Sequence, residues 1–256
     1  MSKHSTIKIM MMAFAAIAVS LSSCKKDTDE NPTTPAPTTT GMLMFHLHSN
    51  IDSTEIDSGL VATDASGRHI QLNDARFFIS GIKAKKSDGT WYSISDVVLL
   101  KTMDEEEYMV ANIPTGNYTQ VAFVVGLSDA QNATLPTSYG SSNPLSTTDM
   151  FFGGSNGYKF LTIDGFADTT AAQTGVMDMP IHYDLGTSDE RVTVIMPEEA
   201  FTVLTDDHTF FHMIVDYGVL LEGIDFKTQS QATPFTNPSV THELVHNVSD
   251  MIHLDE

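Results

Sequence analysis

A chain of 256 residues with a formal charge of −20 and a single cysteine excludes several classes at once. So acidic a surface repels phosphate backbones, so nucleic acid is not an expected partner. One cysteine allows neither a disulfide framework nor a paired-thiolate cluster, so any metal must sit on nitrogen, oxygen or thioether.

Residues 1–23 read as a lipoprotein signal peptide. Lys3 and Lys8 form a basic start, Ile9 to Leu21 is apolar, and Leu21-Ser-Ser-Cys24 fits a lipobox. The apolar run is short for a membrane span. Cleavage would leave Cys24 as a lipidated N-terminus; a plain secretory signal with an incidental cysteine is the alternative. The expected location is the outer membrane, on its periplasmic face or at the cell surface, with the membrane itself as a partner through the anchor. Residues 24–40, rich in Pro and Thr, form a flexible tether. Residues 41–256 suffice for one core and read as one domain.

Met42 to His48 reads as the first strand, with Met42, Met44, His46 and His48 on one face. Two imidazoles on one face seed a copper or zinc site; the alternative is a pair of edge or surface histidines. Asp64 to Gly67 and Ser87 to Gly89 mark hairpins. Further strands follow at Phe77 to Ile79, Trp91 to Ile94, Asp96 to Leu100, Met109 to Ile113 and Tyr118 to Val125, with Met103 to Tyr108 as an acidic connector. Ser128 to Thr148 reads as a long polar loop anchored by Leu135 and covering one end of a sandwich.

The segment from Met150 to Gly165 joins an aromatic cluster, three loop glycines and an alternating strand. It reads as an ordinary packed hairpin corner or as a fixed corner beside a site. Val176 to His182 places Met177 and Met179 on one face, where thioethers either favour Cu(I) or fill core gaps. The last strands are Arg191 to Ile195 and Thr209 to Asp216, and His212 within the latter reads as a core or edge histidine.

Pro238 to Leu254 is the one helix candidate, with Leu244, Val245, Val248, Met251 and Ile252 on its apolar face. It carries His242-Glu-Leu-Val-His246, a formal H-E-x-x-H in which Glu243 would be the general base of a zinc peptidase. The longer peptidase signature would need Gly at 249 and His at 252, and the chain has Ser249 and Ile252. The segment therefore reads better as a fortuitous or merely metal-binding pair. No nucleotide loop, Gly-x-Ser-x-Gly elbow or internal repeat is present.

Four stretches in order resemble the MbnP-like copper-binding proteins: Arg76 to Ile82, Pro114 to Gly126, Met150 to Gly165, and Pro180 to Gly186. The resemblance implies a copper-ligating histidine on the first strand, which raises His48 with His46 beside it. It places Asp184 where the family usually has histidine, with His182 displaced by two. Copper-binding members also carry a tryptophan oxidised to kynurenine by a partner di-haem enzyme. Here the matching positions are Phe152 and Gly154, and the only tryptophan is Trp91.

The fold expected is all-β, an antiparallel Greek-key (Ig-like) sandwich with a short C-terminal helix. The function expected is non-catalytic copper binding for acquisition or sequestration, with a redox or transport protein as partner. The ligands would come from His46, His48 and His182, with His242 and His246 as a second pair, and zinc as the lesser metal. A metal-free adhesion or scaffold lipoprotein and a zinc peptidase through His242, Glu243 and His246 are the alternatives.

Overall fold

The computed structural model describes residues 38–255. The expected signal peptide, Cys24 and nearly all of the expected tether lie outside them.

The chain runs through β1 (Thr40–Ile51), β2 (Thr54–Glu55), β3 (Val61–Thr63), β4 (His69–Lys86), β5 (Trp91–Ser93), β6 (Leu99–Lys101), β7 (Glu107–Pro114) and β8 (Gly116–Val125). After α1 (Asp129–Asn132) come β9 (Leu161–Ala167), β10 (Met179–Leu185), β11 (Val192–Ile195), β12 (Phe201–Val203) and β13 (His208–Asp216). The end of the domain holds α2 (Tyr217–Leu220), β14 (Gln231–Ala232), α3 (Pro238–Val248) and β15 (Ile252–Leu254).

The strands make two sheets. One is ordered β15-β13-β1-β2, with β7 also paired to β1. The other is ordered β11-β8-β4-β9-β10-β14, with β12 on β8 and β3, β5 and β6 on β4. The all-β sandwich with a short C-terminal helix is thus what the chain builds. The sheets are mixed rather than wholly antiparallel: β1 pairs β13 in parallel, and β10 pairs β14 in parallel. Parallel neighbours need a long crossover, and here nearly the whole domain lies between β1 and β13.

Alternation in β1 sets the inner and outer faces. Leu43, Phe45, Leu47 and Ile51 are wholly buried, while Met42, His46, His48 and Asn50 are partly exposed. Phe45 crosses the sandwich to Phe123 of β8 (centroids 5.8 Å) and touches Phe211 of β13 (6.5 Å). Asp216 locks the far end of β1, its Oδ1 accepting from Asp52 N (2.9 Å) and Gly218 N (2.8 Å).

A second, smaller core lies on the other face of β4, beside the segment that leads into β9. Phe78, Leu127, Leu145, Met150, Tyr158 and Phe160 pack together there. This is why the alternating strand is buried on both sides: Leu161 and Ile163 face the main core, Tyr158 and Phe160 the smaller one. Leu145, not the expected Leu135, anchors the 128–148 segment; Leu135 is half exposed. That segment also folds, where a loop was expected, into α1 and two 3-10 turns, because Ser128 and Gln131 form a capping box and Pro136 and Pro144 each start a turn.

The C-terminal helix stops at Val248, short of the expected Leu254. Ile252 to Leu254 pairs instead with Met213 to Val215 of β13. The apolar Met251 and Ile252 are buried by this strand rather than by a helical face.

Candidate metal centre

β1 brings His46 and His48 to the outer face of the first sheet, two residues apart, as its pleat requires. Their rings meet edge-on, with centroids 4.5 Å apart. Glu106, just before β7, folds over both: its Oε2 lies 3.5 Å from His46 Nε2, and its Oε1 lies 3.3 Å from His48 Nδ1. One ligand atom from each of His46, His48 and Glu106 falls within 4.8 Å of the others, and no other such group of three occurs among the described residues.

Two further carboxylates stand around His48. Glu55 Oε1 is 3.8 Å from its Nδ1, and Asp255 Oδ2 is 3.6 Å from its Nε2. The Nδ1 of neither His46 nor His48 makes a well-formed hydrogen bond, although the Glu106 carboxylate stands close to that of His48. Both imidazoles thus meet one carboxylate at distances longer than a charge-assisted hydrogen bond, an arrangement that a cation shared among the three would tighten. Imidazole nitrogen with carboxylate oxygen suits a borderline divalent ion.

His212 joins this cluster from β13. The parallel register sets it directly beside His46, and the two rings are 4.9 Å apart between centroids. Read alone, His212 is an edge histidine; only the pairing of distant strands gives it a metal-site neighbour. Glu106 was likewise hidden in an acidic connector. Only the antiparallel pairing of β7 with β1 brings that connector over the two histidines.

The loop bearing Glu106 is held from beneath by Lys101, which is wholly buried. Its ammonium donates to Ser49 Oγ (2.9 Å), Glu105 O (2.9 Å) and Thr102 O. Burial pushes its pKa down to about 8, against the pull of Glu106, Glu105 and Asp104 nearby.

His182 lies on the other sheet, in β10. Its Nδ1 is 2.6 Å from Asp164 Oδ1 and its Nε2 is 3.1 Å from Asp184 Oδ2, so both nitrogens face carboxylates. Asp184 also pairs with Lys159 (3.0 Å) and accepts from Thr162 Oγ1 (2.6 Å). Its hydrogen bond to Asp184, reinforced by Asp164, raises the His182 pKa to about 9 despite partial burial. The displaced histidine shares a face with Asp184, as expected, but serves an ion-pair network there rather than joining His46 and His48. The aromatic corner belongs to this second sheet too: Phe151 bridges Tyr158, and Lys159 lies over the Phe152 ring at 5.8 Å. Trp91, in β5, is exposed. His242 and His246 stand exposed on α3.

A β-sandwich with imidazoles and a carboxylate gathered on an outer sheet face defines the class. The MbnP family model matches residues 40–241, and the chain belongs to that family. Among solved structures it is similar to MbnP from Methylosinus trichosporium, at 16% identity and a TM-score of 0.57, over 76% of this chain and 81% of that one. No curated protein matches.

Proposed function

We propose that this protein is a non-catalytic copper-binding lipoprotein of the outer envelope that acquires or sequesters the metal. The carrying observation is the convergence of His46, His48 and Glu106 on one point of the outer sheet face, each offering a ligand atom within 4.8 Å of the others. His46, His48 and Glu106 would hold the ion, with His212 in reach as a further nitrogen. Such a set favours Cu(II) over Zn(II) by the general affinity order. The bound metal would supply stored charge and redox capacity; the chain's own residues position it and surround it with negative charge from Glu55 and Asp255. Its anchor would be a lipid on Cys24 in the outer membrane, facing the periplasm or the cell surface, and a redox or transport protein would exchange the metal. With phenylalanine and glycine at positions 152 and 154, the ion is held without an oxidised tryptophan.

Copper content of the full chain, loaded with copper and zinc together and then dialysed, tests the reading. One tightly held copper per chain is expected, and it should be lost in H46A/H48A. Equal copper in that variant and the parent would refute the assignment.

A further inference from the structure

α3 is a short amphipathic helix whose two faces serve different ends. Val240, Thr241, Leu244 and Val248 are buried beneath it, whereas Ser239, His242, His246 and Ser249 form an exposed strip on the opposite side. Helical i, i+4 spacing puts the Cβ atoms of His242 and His246 about 5–6 Å apart. From that separation two imidazoles reach one ion.

The scaffold behind them is fixed. Asn247 Nδ2 donates to Leu220 O (3.0 Å) and to Glu222 O (2.9 Å), tying the last turn of α3 to α2 and the segment after it. Glu243 is drawn the same way: a Cβ on Gly223 would meet its Oε1 at 2.6 Å, so its carboxylate lies against that turn. The helical backbone that carries the two imidazoles is thus anchored, which lowers the ordering cost of binding. No third ligand groups with them among the described residues.

We infer that His242 and His246 form a second, exchangeable metal site on α3, taking a divalent copper ion on two imidazole nitrogens with its other positions open. With only two protein ligands it holds the ion loosely and leaves room for a donor from solvent or from another molecule. The site lies on α3, apart from the outer face of the first sheet, and does not depend on the function proposed for that face.

The test is Cu(II) titration of the full chain by calorimetry, with electron paramagnetic resonance to resolve the two environments. Two binding events are expected, and the weaker should disappear in H242A/H246A while the tighter persists. Because chelation links the two contacts, H242A or H246A alone should weaken that event by about 100-fold rather than halve it. H46A/H48A should leave it untouched, so failure of the sheet site and failure of the helix site are read separately. Persistence of the weaker event in H242A/H246A, or its insensitivity to either single substitution, would overturn the inference. Both histidines are exposed, and an unchanged circular dichroism spectrum in each variant establishes that folding is intact.

Discussion

Replacing Lys101 with methionine isolates the cost of a buried ammonium. Lys101 is fully enclosed, and its pKa falls from the ordinary 10.5 to about 8. Between those values the unfolded chain binds more protons than the folded one, so stability rises as pH increases through the window. Integrated from pH 7 to pH 10, this shift is worth about 2–3 kcal/mol. The substitution itself strands little. Met103 O keeps its bond from Ser49 Oγ (2.9 Å), and Glu105 O keeps its bond from the Tyr108 hydroxyl (2.8 Å). Thr102 O and Ser49 Oγ lose the ammonium as donor, but the hydroxyl keeps its own bond to Met103 O, so the cost is mainly that of one carbonyl, about 1–3 kcal/mol. Urea unfolding of the parent and K101M at pH 7, 8, 9 and 10 is the assay. The parent should gain on the variant with each step in pH, because other titrating groups cancel in the difference. Parallel curves for the two proteins would refute the account of a desolvated charge.

Gly157→Ala forces a side chain into a left-handed position at φ +73° and drives its Cβ to 2.3 Å from Asn132 Oδ1, which accepts from Tyr158 N. The expected loss is about 1–3 kcal/mol in thermal or urea unfolding, with Phe78 and Tyr158 of the smaller core loosened first. His182→Gln removes a histidine whose folded pKa, about 9, stands above its ordinary 6.5. Its stabilisation is complete below pH 6.5 and drains away as pH rises through 9. The parent's advantage over H182Q should therefore shrink across that interval, modestly because the pair is partly exposed.

Periodicity made the strands legible, and with them the placing of His46 and His48 on one face. It also separated Leu161 and Ile163 from Tyr158 and Phe160, though not that each set meets its own core. What stayed hidden depended on pairing between distant segments. His212 acquires its role only through a parallel register with β1, and period-two alternation is blind to which strand lies alongside. Ile252 to Leu254 continues a helical apolar spacing on paper, yet the unpaired edge of β13 recruits it as a strand. Leu135 reads as the anchor of its segment, yet the proline-started turns bury Leu145 in the smaller core instead. His182 was correctly set beside Asp184, but the carboxylate of Asp164 on the neighbouring strand, which takes its other nitrogen, comes only from the β9–β10 pairing.

The parallel pairing of β1 with β13 also governs when the protein can exist as such. The two strands are joined by most of the domain, so the loop that must close is long and its closure comes late. A growing chain exposes His46 and His48 well before His212 or Asp255 emerges. Until the final strands arrive, β1 lacks a neighbour on that side and its backbone edge is open to wrong partners. The outer face is therefore a property of the finished chain, and truncation near the C-terminus should harm assembly far out of proportion to the few residues removed.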